Sequence, residues 1–385
     1  PLVRRDEPPI LSAINNSQDP GVPLTIGSID VRNTSLYEVH GNTVSGAQFN
    51  GTPMDEALTG AVKVRIIEGF SSEAAPGATM FGLTMAEGAA LLGEATVRED
   101  GSWMAHVPPF IPMHLQPLDE FDLSIRNQTT WIQGMPGESR VCGGCHERRT
   151  EPAIVTDQQL SFAAASDPED FFSAVAARIE YPWYGANAGF EGNEVQALLT
   201  AKCASCHNET TNGSGPQEFY TLTMTNELTG AMTAYEIPRL DLTAREITVT
   251  YDGEVESWPA SYVSLFYPAA MEMEMGMDTM VTGTVPPTWA RPSDARNSAL
   301  IEKLNITSSL DANRTAWPLG EAFSDPNIQG ASRTLHPDDV GIELTREERL
   351  MLIRAIDMGG QYYSRQNTDY QPFASDPLGS GGVEY

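Results

Sequence analysis

Cys142-Gly143-Gly144-Cys145-His146 and Cys203-Ala204-Ser205-Cys206-His207 share one pattern, C-x-x-C-H, and together they hold all 4 cysteines of the chain. The spacing has a chemical reason. Two thiols three residues apart can add to the two vinyl groups of one porphyrin, and the adjacent histidine then reaches the iron. A C-x-x-C alone would also serve a redox dithiol or half of a zinc site. Two complete copies with no cysteine to spare favour haem. The sequence therefore predicts two covalently bound haem c groups, attached at Cys142, Cys145, Cys203 and Cys206, with His146 and His207 as proximal iron ligands.

Bulk properties narrow the setting. A chain of 385 residues has room for two or three compact units. Its net charge of -29 repels nucleic acid and anionic lipid. The expected partner is instead a redox protein with a basic docking face. No apolar run is long enough to span a bilayer, so no integral membrane segment is expected. Covalent haem attachment occurs outside the bacterial cytoplasm, which predicts a periplasmic or extracellular protein. The chain opens on Pro1 with no signal peptide visible, which fits a targeting segment already removed.

Periodicity suggests an α+β chain: a β-rich N-terminal module followed by a mainly helical cytochrome c-like domain with a large insertion. Residues 1–60, rich in Pro, Asn, Gly and Ser, read as an extended arm with short strands. Residues 61–150 form the β-rich module ending in the first haem site. Val62, Val64 and Ile66 alternate as in a half-buried strand, and so do Trp103, Ala105 and Val107. A short helix is predicted over 85–92, with Thr84 and Glu87 spaced as a capping box. Residues 151–190 read as a helical connector, from Asp167-Pro168 through Phe171, Phe172, Val175 and Ile179. Residues 191–365 would be the cytochrome-like domain. A helix runs into Cys203, a hairpin turns at Asp252-Gly253, and a helix near 298–304 precedes a closing helix capped by Thr345 and Glu348. Residues 366–385 form a polar extended tail.

The chain has 6 histidines, so four remain to fill the far side of either iron. In order of preference they are His114, His40, His336 and His106. Histidine in both positions would give low-potential, electron-transferring haems, whereas methionine would raise the potential. The run Met271-Glu272-Met273-Glu274-Met275-Gly276-Met277 offers thioethers, although such a stretch is more often a loop or a core filler.

Short segments around these motifs resemble a known family. They are Val64-Arg65-Ile66-Ile67-Glu68-Gly69, Phe81-Gly82-Leu83-Thr84, Gly101-Ser102-Trp103, Gln116-Pro117-Leu118-Asp119-Glu120, Pro136-Gly137-Glu138, His336-Pro337-Asp338 and Ile356-Asp357-Met358-Gly359-Gly360. Together they look like the haem-bearing half of the hydrazine synthase alpha-subunit family. The resemblance implies a catalytic first haem with a tyrosine one helical turn past the motif histidine, where this chain has Thr150. It also implies a bis-histidine second haem whose far ligand comes from upstream, the place held here by His40. A family name does not carry an activity with it. Two functions stay open. One is an extracytoplasmic electron-transfer cytochrome, alone, within a larger complex, or self-associated in a cytochrome filament. The other is a haem redox enzyme acting on a small nitrogen compound or peroxide at the first haem.

Overall fold

The computed structural model describes residues 19–35, 57–71, 87–128, 131–145, 161–173, 179–183, 195–225, 232–251, 254–266, 279–282, 289–305, 336 and 340–362. His40, His146, Thr150, the 271–277 methionine run and the 366–385 tail lie outside them.

Two sheets build the N-terminal half. The first has strand order β6-β1-β4-β7, from β1 (Leu24–Ser28), β4 (Trp103–Val107), β6 (Ser139–Cys142) and β7 (Glu169–Asp170). The second has order β3-β2-β5, from β2 (Lys63–Ser71), β3 (Glu87–Thr96) and β5 (Met113–Leu118). Leu24, Ile26, Trp103, Ala105 and Val107 of the first sheet meet Val64, Ile66, Leu92 and Met113 of the second in one apolar core. Alternation makes this work: on β4 the even-numbered residues are half-exposed and the odd-numbered ones buried.

Residues 24–28 form a short strand between β4 and β6. Two expectations for this half need correction. The helix predicted over 85–92 is absent at 87–92, where β3 pairs antiparallel with β2 from Glu87 to Thr96. Its Ala89-Ala90-Leu91-Leu92 run is buried throughout. Such a run suits a strand covered on both faces as well as a helix, and β2 supplies the partner that decides between them. The helical connector, where it is described, holds turns at 162–166 and the strand β7. Glu169 and Asp170 pair with Ala105 and His106, and Phe171 packs on the sheet core.

The C-terminal half is not a mainly helical cytochrome c-like domain. β8 (Thr211–Asn212) pairs with β9 (Gly215–Pro216), and β12 (Glu246–Tyr251) pairs with β13 (Glu254–Pro259). A three-stranded sheet has order β11-β10-β14, from β10 (Phe219–Thr225), β11 (Met232–Pro238) and β14 (Thr279–Thr282). Where it is described, the segment between the second motif and the closing helix is mainly antiparallel strands, because its periodicity there is local and two-fold, as at Ile247 and Val249.

The helices predicted for this half before Cys203, near 298–304 and after Thr345 do stand. They are α1 (Val195–Lys202), α3 (Ala299–Asn305) and α4 (Arg346–Asp357), and a further helix, α2, covers 260–266. The predicted hairpin is β12–β13. Thr345 caps α4 as expected: its side chain accepts from the Glu348 N–H, and the Glu348 carboxylate accepts from the Thr345 N–H. Gly359, at φ 102°, lets the chain leave the helix in a conformation that costs other residues energy. Val195, Leu198 and Leu199 of α1 join Leu350, Ile353 and Ile356 of α4 in the larger core.

A buried polar network clamps the two halves together. The guanidinium of Arg65 on β2 donates to Glu94, Gln116, the Asp122 carbonyl and Asp357 on α4. Arg65 and Asp357 are both 0% exposed. Arg296 adds a second tie, donating to Asp119 and to the Ser124 and Leu123 carbonyls.

Candidate functional site

Strand β6 delivers the first motif. It runs parallel to β1, and Ser28 stands level with Cys142. The motif loop then folds back onto residues 29–33 through backbone bonds. Ile29 N–H donates to the Cys142 carbonyl at 2.9 Å, Asp30 N–H to Gly143 at 3.2 Å, and Cys145 N–H to Asn33 at 2.8 Å. Gly144 is buried with the Asn33 carbonyl against it, and a Cβ there would sit 1.9 Å from that oxygen. Only glycine fits this position. Gly144→Ala is therefore expected to push the loop off residues 29–33 and to destabilise the fold by about 1–3 kcal/mol, readable by urea denaturation. A variant as stable as the wild type would contradict this.

Cys142 is exposed, whereas Cys145 packs against both the sheet core and a small cluster of Ala57, Leu58 and Ile125. His106 stands apart from both cysteines. It pairs with Thr25, its Nδ1 lying 3.1 Å from the Thr25 hydroxyl, while Cys142 is level with Ser28 and Trp103 on the opposite face of the sheet. His114 pairs with Ile67 and so shares a face with Arg65 and Gln116. The other face, with Leu115 and Met113, is the one sharing a core with Cys145. His114 stacks on Trp131 at 4.7 Å, its Nδ1 lies 3.4 Å from the Gln128 carbonyl, and its buried Nε2 has no partner. Burial lowers its pKa to about 4.

Helix α1 delivers the second motif. Its apolar face carries Cys203 against the main core. Burial, with Glu348 nearby, pushes the Cys203 thiol up to about 12. Among the described residues, no group of three or more His, Cys, Asp or Glu is arranged to hold a metal ion. His207 N–H donates to the Cys203 carbonyl at 2.9 Å, and the His207 carbonyl accepts from Leu242 at 3.0 Å. Asn212, on the β8–β9 hairpin, places its side-chain oxygen 2.7 Å from His207 Nδ1. With Nδ1–H donating there, Nε2 is left as the metal-binding nitrogen, the usual arrangement behind a ligating histidine. Burial lowers the His207 pKa, the Asn212 bond opposes that, and His336 adds to the lowering. The His336 ring centre lies 5.9 Å from that of His207, with the planes at 84°.

The structure thus brings His336 to the second motif and places His106 and His114 on sheet faces turned from Cys142 and Cys145. Sequence reasoning missed Asn33, Gly144 and Asn212. Gly144 carried a signal, as a glycine inside C-x-x-C. Asn33 and Asn212 act through tertiary contacts that leave no local pattern.

This geometry can be set beside known proteins. Residues 58–147 match the hydrazine synthase alpha subunit middle domain. The hydrazine synthase subunit alpha of Kuenenia stuttgartiensis is 24% identical in an alignment 325 positions long that covers 73% of this chain and 34% of that protein. The chain is thus similar to the hydrazine synthase alpha subunit, most plainly over that middle domain. A solved structure of Kuenenia stuttgartiensis hydrazine synthase matches 91% of this chain and 44% of its own with a TM-score of 0.54. At 18% identity that is a likeness of fold. The chain spans about a third of its curated relative. The segment matching the middle domain holds β2 to β6 and both cysteines of the first motif.

Proposed function

We propose that the protein is an extracytoplasmic di-haem c-type cytochrome that transfers electrons as part of a larger assembly. The observation carrying this reading is the second motif, where Asn212 fixes the His207 ring beside two thiols at haem-attachment spacing. Cys142, Cys145, Cys203 and Cys206 would hold the two groups, with His146 and His207 as proximal ligands. Bound there, haem supplies a one-electron couple. The chain's own contribution is to orient His207 through Asn212, to keep Cys203 against an apolar core, and to fix the first loop on residues 29–33. The alpha-subunit relative favours partner subunits, and the net charge of -29 favours a basic docking face on a redox partner. No helix among the described residues is long and apolar enough to cross a membrane.

A second reading is a haem enzyme acting on a small nitrogen compound at the first motif. Its support is the similarity to the hydrazine synthase alpha subunit, together with the sheet faces that turn His106 and His114 away from Cys142 and Cys145.

Mass spectrometry of protein matured in a periplasm tests the main reading. Two covalent haems are expected, falling to one in the Cys203→Ser/Cys206→Ser variant. Protein with no covalent haem would refute the reading. Carbon monoxide binding by the reduced protein at one site would favour the second reading, and binding at neither site would remove it.

A further inference from the structure

We propose that Asn212 is the positioning residue of the Cys203–His207 site, fixing the His207 ring before haem is attached and setting how strongly that histidine donates to iron. The proposal rests on the haem reading given above and deepens it. The amide oxygen Oδ1 of Asn212 lies 2.7 Å from His207 Nδ1. An amide oxygen can only accept, so the proton of this bond belongs to Nδ1 and the ring's lone pair to Nε2. Asparagine in a tight hairpin ordinarily turns its side chain onto its own backbone. Here the side chain leaves the turn and meets a ring five residues back in the chain.

The chain between the two residues is built to return to that ring. Asn208 Oδ1 accepts from the N–H groups of Thr210 and Thr211 at 3.0 and 3.1 Å, which bends the chain straight after the motif. Gly213 N–H and the Thr211 hydroxyl then donate to the Cys206 carbonyl, at 2.9 and 3.1 Å. Gln217, just past the hairpin, donates to the Asn208 carbonyl at 2.7 Å and to that of Leu240, a core residue, at 3.0 Å. These bonds lock the hairpin onto the motif, and the Asn212 side chain is the part of it that reaches the histidine. All of them are made within the polypeptide, so the ring is oriented by the chain itself.

The chemistry of the acceptor decides the electronic consequence. A hydrogen bond at Nδ1 raises the basicity of the ligating Nε2. A neutral amide does this moderately and leaves the proton on the ring. A carboxylate draws that proton away and makes the ring a stronger donor, which favours ferric over ferrous iron. With no acceptor the ring is a weaker donor, and either nitrogen can carry the proton. Exchanging the group at position 212 therefore moves the potential in opposite directions, which a simple loss of local structure does not.

Two measurements on the full chain test this. In the Cys203→Ser/Cys206→Ser variant, nitrogen NMR of histidine-labelled protein should show His207 as the Nδ1–H tautomer, and adding Asn212→Leu should abolish that preference. In haem-loaded protein, with covalent haem counted, spectroelectrochemistry should find one of the two potentials moved, downward in Asn212→Asp and upward in Asn212→Leu. The expected size is about tenfold in the reduction equilibrium, or about 59 mV for one electron. Shifts of the same sign in both variants would mean a role in structure alone and would overturn the assignment. So would an Nε2–H tautomer at His207. If Asn212→Leu does not fold, the nearly isosteric Asn212→Asp still decides: a fall in one potential supports the assignment, and a rise or no change overturns it. A wild type without covalent haem would overturn the haem reading itself, whereas two retained haems with unmoved potentials would overturn the role of Asn212 alone.

Discussion

Asp357→Ala is expected to destabilise the protein by about 3–5 kcal/mol, because it strands a fully buried guanidinium. Asp357 accepts from Arg65 at 3.2 Å, from Ser124 N–H at 3.0 Å and from Ala295 N–H at 2.8 Å. Alanine removes all three acceptor contacts and leaves two backbone N–H groups with neither water nor partner. Arg65 keeps Glu94, so its charge is only partly uncompensated. That residual pairing keeps the cost from exceeding about 5 kcal/mol. Burial pushes the Asp357 carboxyl pKa up, against the opposing pull of Arg65 and the two N–H groups. Asparagine keeps an acceptor and avoids the buried charge, so Asp357→Asn should cost distinctly less than alanine.

Arg346→Ala is the control. It breaks an ion pair to Asp122 of 3.3 Å, but Arg346 is 57% exposed, and such pairs are worth about 0–1 kcal/mol. Urea denaturation followed by tryptophan fluorescence separates these cases. Asp357→Ala within about 1 kcal/mol of wild type would show that the network contributes little. The functional stake is spacing. Arg65 belongs to the sheet before the first motif, and Asp357 to the helix after His336. The clamp between them holds the two attachment sites in one body.

How much of this was legible in the sequence depended on the range of the interactions. Features written within a few residues were readable: the Thr345–Glu348 capping box, the β12–β13 hairpin and the alternation along β4. The stretch at 87–92 misled because Ala89 to Leu92 is apolar without alternation, and only pairing with β2 tells strand from helix. The cytochrome-like domain failed for a related reason. A helix before the motif and another after it do fix two elements, but they say nothing about the sheets between them. Asp357 appeared in a quoted segment, yet its partner Arg65 lies 292 residues away, a separation that no local pattern spans. Among the four candidate far ligands, ranking by nearness in sequence put His114 first, because it precedes the first motif. Sheet register then placed it on the face shared with Arg65.

That placement gives His114 a measurable consequence for stability. Its ring is buried against Trp131, and burial lowers its pKa from 6.5 to about 4. The sign follows from linkage. Between these two values the unfolded chain binds a proton at this histidine and the folded chain does not, so acid favours unfolding. The folded state has its full advantage above pH 6.5 and loses it as pH falls toward 4. A shift of this size corresponds to about 3 kcal/mol. Many carboxylates titrate over the same range, so the wild-type profile alone cannot isolate the effect. His114→Leu can, because leucine fills a similar volume and carries no proton. Above pH 7 the variant should be the less stable of the two, through imperfect packing on Trp131 and the lost Gln128 contact. As the pH is lowered, the gap should close and then reverse, with the variant gaining about 3 kcal/mol relative to wild type by pH 4. Denaturation curves for both proteins at several pH values provide the difference directly. A difference that stays constant with pH would mean that His114 is not a buried neutral imidazole. A variant that also turned one haem high-spin would mean that His114 serves an iron instead of the core.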